Sequence, residues 1–151
     1  MPLDLCYLMT QALTEAEKAL AAGEVPVGAV VADAEGRVQA RGHNQPISLR
    51  DPTAHAEVQA LRKAALACGN HRLPGSVLVV TLEPCIMCMG AAVNARIARL
   101  VFGAHDPKAG AAGSLYNIGR DERLNHHIEI TPGIMAEACR SLMQDFFRAR
   151  R

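Results

Sequence analysis

Tryptophan is absent, and the chain carries only two tyrosines and three phenylalanines among 151 residues. So few rings exclude a surface built on repeated base stacking; once the core has taken its share, at most one is spare to stack on a base. Charge of one sign is also lacking. Sixteen Lys and Arg against fifteen Asp and Glu leave a net charge of +1, which excludes a strongly basic nucleic-acid coat, so any polynucleotide must be held locally. No apolar run approaches the roughly 20 residues of a membrane span. Residues 1–4 carry neither a basic leader nor a signal-like apolar core, and a cytoplasmic protein without membrane contact is expected. Repeats, low-complexity tracts and interdomain linkers are missing too, so one domain over residues 1–151 is expected. A chain of this length buries on the order of 70% of its unfolded surface and should fold without a metal. Its five cysteines, an odd number with one closely spaced pair, suit a reducing compartment better than a disulfide framework.

What is present is concentrated in two fragments, His55-Ala56-Glu57 and Pro84-Cys85-Ile86-Met87-Cys88. On a helix, residues three apart share a face, so Cys85 and Cys88 can bind one metal. Zinc takes thiolates readily; with His55 as third ligand, the fourth tetrahedral position stays open, as a catalytic site requires. Glu57, two residues beyond His55, diverges from it by about 200° on an ideal helix, which favours one ligand and one base over two chelating ligands. Either fragment alone is weak evidence, since Cys-x-x-Cys also serves redox pairs and closed zinc knuckles. A redox role is disfavoured by Pro84 and by the absence of a thioredoxin-like context. A closed structural site would need a fourth ligand, for which Cys6, Cys68 and Cys139 are candidates; each falls on an apolar helical stretch, where a buried inert thiol is expected.

Both fragments read as helix starts, with Asp51-Pro52-Thr53 capping a helix over 54–66 and Pro84 at the first helical position before Cys85. The rest of the chain predicts a helix from residue 5 to about 20, a hairpin of strands at 25–32 and 38–42, and a loop over 43–53. Beyond the first fragment come a buried strand at 76–82, a helix at 85–96 and strands at 99–104 and 127–131. A final helix opens at Pro132-Gly133 and runs through Phe147, and a short helix is expected around 114–118. The alternation predicts an α/β protein with three α/β/α layers: a central mixed sheet of about five strands, helices on both faces.

The whole pattern resembles the zinc-dependent nucleobase deaminases of cytidine deaminase-like fold, whose signature is H-x-E followed by P-C-x-x-C. Within that fold, residues 5–151 are similar to the bacterial tRNA-specific adenosine deaminases. Besides the two fragments, the likeness is carried by Gly23-Glu24-Val25-Pro26-Val27-Gly28, Asn44, Thr81-Leu82-Glu83 before Pro84, Phe102-Gly103-Ala104 and Asp106, and it is narrowed to the tRNA enzymes by Gly110-Ala111-Ala112-Gly113-Ser114 and Asp145-Phe146-Phe147-Arg148. The resemblance implies one Zn2+ per subunit on His55, Cys85 and Cys88, and hydrolysis of adenosine to inosine at the wobble position of a tRNA anticodon by a zinc-activated hydroxide. Glu57 is the implied proton shuttle. It implies substrate contacts from Asn44 and Asp106, and a homodimer acting on a tRNA anticodon stem-loop, that of arginine tRNA being the expected one. Asn44 and Asp106 read equally well as turn residues. Phe147, Arg148, Arg150 and Arg151 form an aromatic and basic end suited to base and phosphate. Two other functions fit the same residues: a deaminase of free guanine, cytosine or deoxycytidylate, and a non-enzymatic zinc-stabilised RNA-binding module.

Overall fold

The computed structural model describes residues 2–150. Helix α1 (Leu5–Ala21) leads into the hairpin β1 (Gly28–Ala32) and β2 (Val38–His43), a four-residue helix α2 (Pro46–Leu49) and α3 (Ala56–Cys68). Strand β3 (Val77–Leu82), α4 (Ile86–Asn94) and β4 (Arg99–Ala104) follow, then a single 3₁₀ turn at Ile118–Arg120, β5 (Glu129–Thr131) and α5 (Ala136–Arg148). The strands form one sheet in the order β2-β1-β3-β4-β5. β1 runs antiparallel to β2 and β3, whereas β3, β4 and β5 are mutually parallel, so the sheet is mixed.

Alternation along the strands decides which layer each side chain joins. Ala29, Val31, Leu78, Val80, Leu100 and Phe102 enter one core with Ala60, Leu61 and Met89 of α3 and α4. Val30, Ala32, Val77, Val79 and Val101 point the other way, into a second core with Leu8, Met9 and Ala12 of α1 and Cys139 of α5. Both faces of β1 and β3 are therefore buried, which explains their unbroken apolar runs. The three-layer architecture is the expected one.

Helices lie close against the sheet where the sequence has glycine. A Cβ at Gly42 would stand 2.6 Å from the Ala56 carbonyl oxygen and 2.6 Å from the Ala60 nitrogen, so position 42 has no room for a side chain beneath α3. Likewise, a Cβ at Gly103 would stand 2.3 Å from Cys139 Sγ, which seats α5 directly on β4.

Several boundaries depart from expectation. The 43–53 segment holds α2, whose N-cap Gln45 makes no side-chain cap. Its amides are capped from far away: the buried Glu24 carboxylate accepts from the Ser48 N–H (2.7 Å), the Ser48 hydroxyl (2.7 Å) and the Ile47 N–H (3.3 Å). The expected helix at 114–118 is instead the 3₁₀ turn at Ile118–Arg120. α5 begins at Ala136 and not at Pro132, because Met135 is left-handed (φ 54°) and the Ile134 N–H bonds to the Phe102 carbonyl. Cys139 is buried as expected, but Cys6 and Cys68 are exposed. Cys6 lies off the buried stripe of α1, and Cys68 is the last residue of α3, at the edge of an open cavity it lines with Val31 and Ala64, so the expectation of buried thiols fails there.

Candidate metal centre and its pocket

The two sequence fragments meet beyond the carboxyl end of β3, where ligands gather in open α/β sheets. His55 is the N-cap of α3 and Cys85 the N-cap of α4; both are extended (ψ 155° and 177°), and neither side chain caps its own helix. Pro84 is therefore not the first helical residue. Its carbonyl turns outward to accept the Ala111 N–H at 2.8 Å, which leaves Cys85 to open the helix. Similarly, Asp51 does not cap α3: its Oδ1 closes a turn by accepting from the Thr53 N–H (2.8 Å) and hydroxyl (2.7 Å), and His55 follows that turn. Two helix amino termini thus aim their unpaired N–H groups at one spot and favour negative charge there.

At that spot His55 Nδ1 lies 3.6 Å from Cys85 Sγ and 3.4 Å from Cys88 Sγ. The three donor atoms all fall within 4.8 Å of one another. One imidazole and two thiols at this spacing are a zinc donor set with one tetrahedral position left over. Cys6, Cys68 and Cys139 do not join it. The hydrogen bond from Cys88, and after it His55, holds the Cys85 thiol down at about 3. The same bond to Cys85, and then burial, pushes Cys88 far above the ordinary thiol range. Of the two thiols, Cys85 is the more acidic.

Glu57 stands at the second residue of α3 and is buried, 4% exposed. Burial pushes its carboxyl up to about 7, where one group can both accept and return a proton at neutral pH. Glu57, His55 and Cys85 line a cavity of about 210 Å³ together with Asn44, Glu83 and Asp106. Asn44 and Asp106, singled out in the sequence, thus face the metal seat from opposite loops. At Asp106 the turn role holds as well, since its Oδ1 accepts from the Lys108 and Ala109 amides at 3.0 and 3.2 Å.

A groove of about 810 Å³ adjoins this cavity, and Val25, Leu82 and Asp106 line both. Its rim carries His105, Lys108, Arg140 and Arg148, with Phe147 about half exposed beside them. Phe146 is buried and Phe147 is not, but Tyr7 and Tyr116 are about half exposed as well, so the core leaves more rings free than the one expected, and Phe147 is the one that lines the groove. Arg150 lies outside the groove, its guanidinium 3.6 Å from the Phe146 ring centroid; Arg151 lies outside the described residues. Glu83 escaped the sequence reading as a site residue. The only signal was its place directly after a buried strand, where an ionised side chain needs a dedicated set of partners.

Residues 3–104 match the family described as the cytidine and deoxycytidylate deaminase zinc-binding region. The chain is 49% identical over 144 residues to the tRNA-specific adenosine deaminase of Haemophilus influenzae, which covers 95% of this chain and 83% of that protein. A structure solved in a study of A-to-I editing by tRNA:A34 deaminases at the wobble position superposes with a TM-score of 0.86 at 43% identity, covering 90% of this chain and 98% of the other. The guanine deaminase of Nitrosomonas europaea shares the fold at 25% identity and a TM-score of 0.83, over 97% and 86% of the two chains. With one imidazole and two thiols converging beside the cavity that Glu57 lines, the chain belongs to the cytidine and deoxycytidylate deaminase zinc-binding family and, within it, to the tRNA-specific adenosine deaminases.

Proposed function

We propose that this chain, as one deaminase domain, converts adenosine to inosine at the wobble position of a tRNA anticodon, arginine tRNA being the expected substrate. The observation that carries this is Glu57, buried beside the His55, Cys85 and Cys88 donors and facing the same cavity. Zinc, when bound, supplies a lowered pKa for water, so that a nucleophile is available at neutral pH.

Glu57 takes a proton from the attacking water and delivers it to N1 of the adenine, which makes C6 electrophilic. It then takes the proton of the new C6 hydroxyl and passes it to the amine, which leaves as ammonia. The balance is adenosine plus water to inosine plus ammonia. Asn44 and Asp106 hold the nucleoside from either side. Phe147 offers a stacking face to a neighbouring base, and Arg148 and Arg150 give the basic end of α5 for phosphate. A base paired inside a helix cannot reach this cavity, so the target must be splayed out, as in a loop.

The active unit is a homodimer. Supporting this, α4 presents Ile86, 55% exposed, and a stretch at Gly90 where a side chain would meet nothing within 4 Å. Exposed apolar surface on a helix is the kind a second subunit would cover. No helix among the described residues is long and apolar enough to cross a membrane. Five free cysteines suit a reducing compartment, which the cytoplasm provides.

Inosine formation in an arginine tRNA anticodon stem-loop, measured beside ammonia release from free adenosine, cytidine and guanine, tests the reading. Inosine in the stem-loop with inert free bases supports it. Faster turnover of guanine overturns it in favour of the free-base activity that the likeness to guanine deaminase brings into consideration.

A further inference from the structure

Glu83 stands two residues before Cys85, and its side chain is fully shielded from solvent. Burying a carboxylate is costly unless donors surround it. Here four do: the amides of Asp106 (3.0 Å), Ala112 (3.1 Å) and Ser114 (3.0 Å), and the Ser114 hydroxyl (2.5 Å). All four come from one segment, residues 106–114, which contains no helix and no strand. One backbone bond, from the Ala111 N–H to the Pro84 carbonyl (2.8 Å), ties the same segment to the end of β3, and the Glu83 N–H bonds to the Ala104 carbonyl at the end of β4 (2.8 Å). The fit is close: a Cβ at Gly110 would stand 2.3 Å from Glu83 Cδ. Asp106 enters the cavity from this segment, while Cys85 enters it from the segment Glu83 itself begins.

We propose that Glu83 is a positioning residue for deamination: its buried carboxylate fixes residues 106–114 as one wall of the pocket, so that Asp106 meets the substrate at a set distance from the metal seat. Although Glu83 borders the cavity, its side chain is fully enclosed, so it acts through that wall. The inference rests on the deaminase reading of this site.

Glu83→Gln keeps the shape but turns one acceptor into an NH2 donor facing N–H groups, so at least one amide loses its partner. Ser114→Ala removes one donor, and Ser114→Thr keeps the hydroxyl. Hydrogen exchange of 106–114, zinc content, and kcat and KM on the stem-loop are measured for each. Expected for Glu83→Gln are exchange in 106–114 faster by about tenfold or more, unchanged zinc content, KM raised by about tenfold, and kcat within about threefold of wild type. Ser114→Ala shifts exchange and KM the same way by less, and Ser114→Thr restores both.

Unchanged protection of 106–114 overturns the proposal. So does a fall in kcat at constant KM, which puts Glu83 in the chemical step, or loss of zinc, which puts its action on Cys85. Should Glu83→Gln not fold, the Ser114 pair decides: wild-type KM and protection in Ser114→Ala reject the idea. Failure of the deaminase reading is distinct, because wild-type protein would then make no inosine while the exchange result still stands.

Discussion

His55 Nδ1 and Cys88 Sγ approach to 3.4 Å across 33 residues of sequence, from the start of one helix to the first turn of another. Neither helix alone holds a metal, so each thiol is indispensable. Cys88→Ala and Cys85→Ala are expected to bind less than one-tenth of the zinc retained by wild type, measured by elemental analysis after dialysis, and to lose turnover with it. Because the bond to Cys85 and burial raise the Cys88 thiol, binding zinc as a thiolate releases a proton there, and zinc affinity should rise with pH by about tenfold per unit for that proton. A pH-independent affinity contradicts this account.

Glu57→Ala is expected to keep stoichiometric zinc and lose turnover, by about a hundredfold to ten-thousandfold, the usual loss for a general acid and base. Zinc analysis and inosine formation on the same preparation check both halves. Lost metal would make Glu57 a ligand, and a near-normal rate would remove it from the chemistry.

Gly42→Ala places a methyl 2.6 Å from two backbone atoms of α3, neither able to rotate away. Overpacking of this sort costs about 1–3 kcal/mol, or a fall in Tm of about 2–4 °C per kcal/mol for a chain of this size. Since Ala56 is one of the contacts, the neighbouring His55 shifts too, and zinc content should drop alongside Tm. Thermal melting at wild-type Tm would show that α3 can slide on β2.

Acid should loosen α2 through Glu24. Burial raises its pKa, but the Ser48 hydroxyl, the Ser48 and Ile47 amides and the nearby His43 outweigh this and hold it below 4.5. A carboxylate depressed on folding stabilises above its unfolded pKa and loses that contribution as pH falls through the folded one. Glu24→Gln should therefore be less stable than wild type to urea at pH 7, with the gap narrowing below about pH 4.5. A gap independent of pH excludes the carboxylate charge as the cause.

Phe147→Ala should weaken binding to the anticodon stem-loop by about 1–3 kcal/mol, the range for one lost stacking contact. Arg148→Ala should lower the slope of log affinity against log salt by about one. Fluorescence anisotropy at several salt concentrations measures both, and unchanged affinity in Phe147→Ala would leave its half-exposed ring without a role in RNA binding.

Where the chemistry is local and the pattern periodic, sequence suffices. His55, Glu57, Cys85 and Cys88 are legible from spacing, and β1 and β3 from their unbroken apolar runs. What stays hidden depends on partners remote in the chain. α2 is too short for periodicity and is capped by Glu24, more than twenty residues upstream. Glu83 reads as an ordinary acidic residue until 106–114 folds around it. The starts of α3 and α4 were misread by a residue or two for the same reason: Ala111 draws the Pro84 carbonyl away, and the Asp51 turn leaves His55 extended.

The contact of Gly103 with Cys139 acts as a fulcrum. Eight residues separate Cys139 from Phe147, about 12 Å of helix at the usual rise, so a tilt of about 10° at the pivot swings the far ring by about 2 Å. A methyl at position 103 would be felt at the arm's tip before it reached the metal, as altered discrimination among stem-loops that differ beside the target nucleotide.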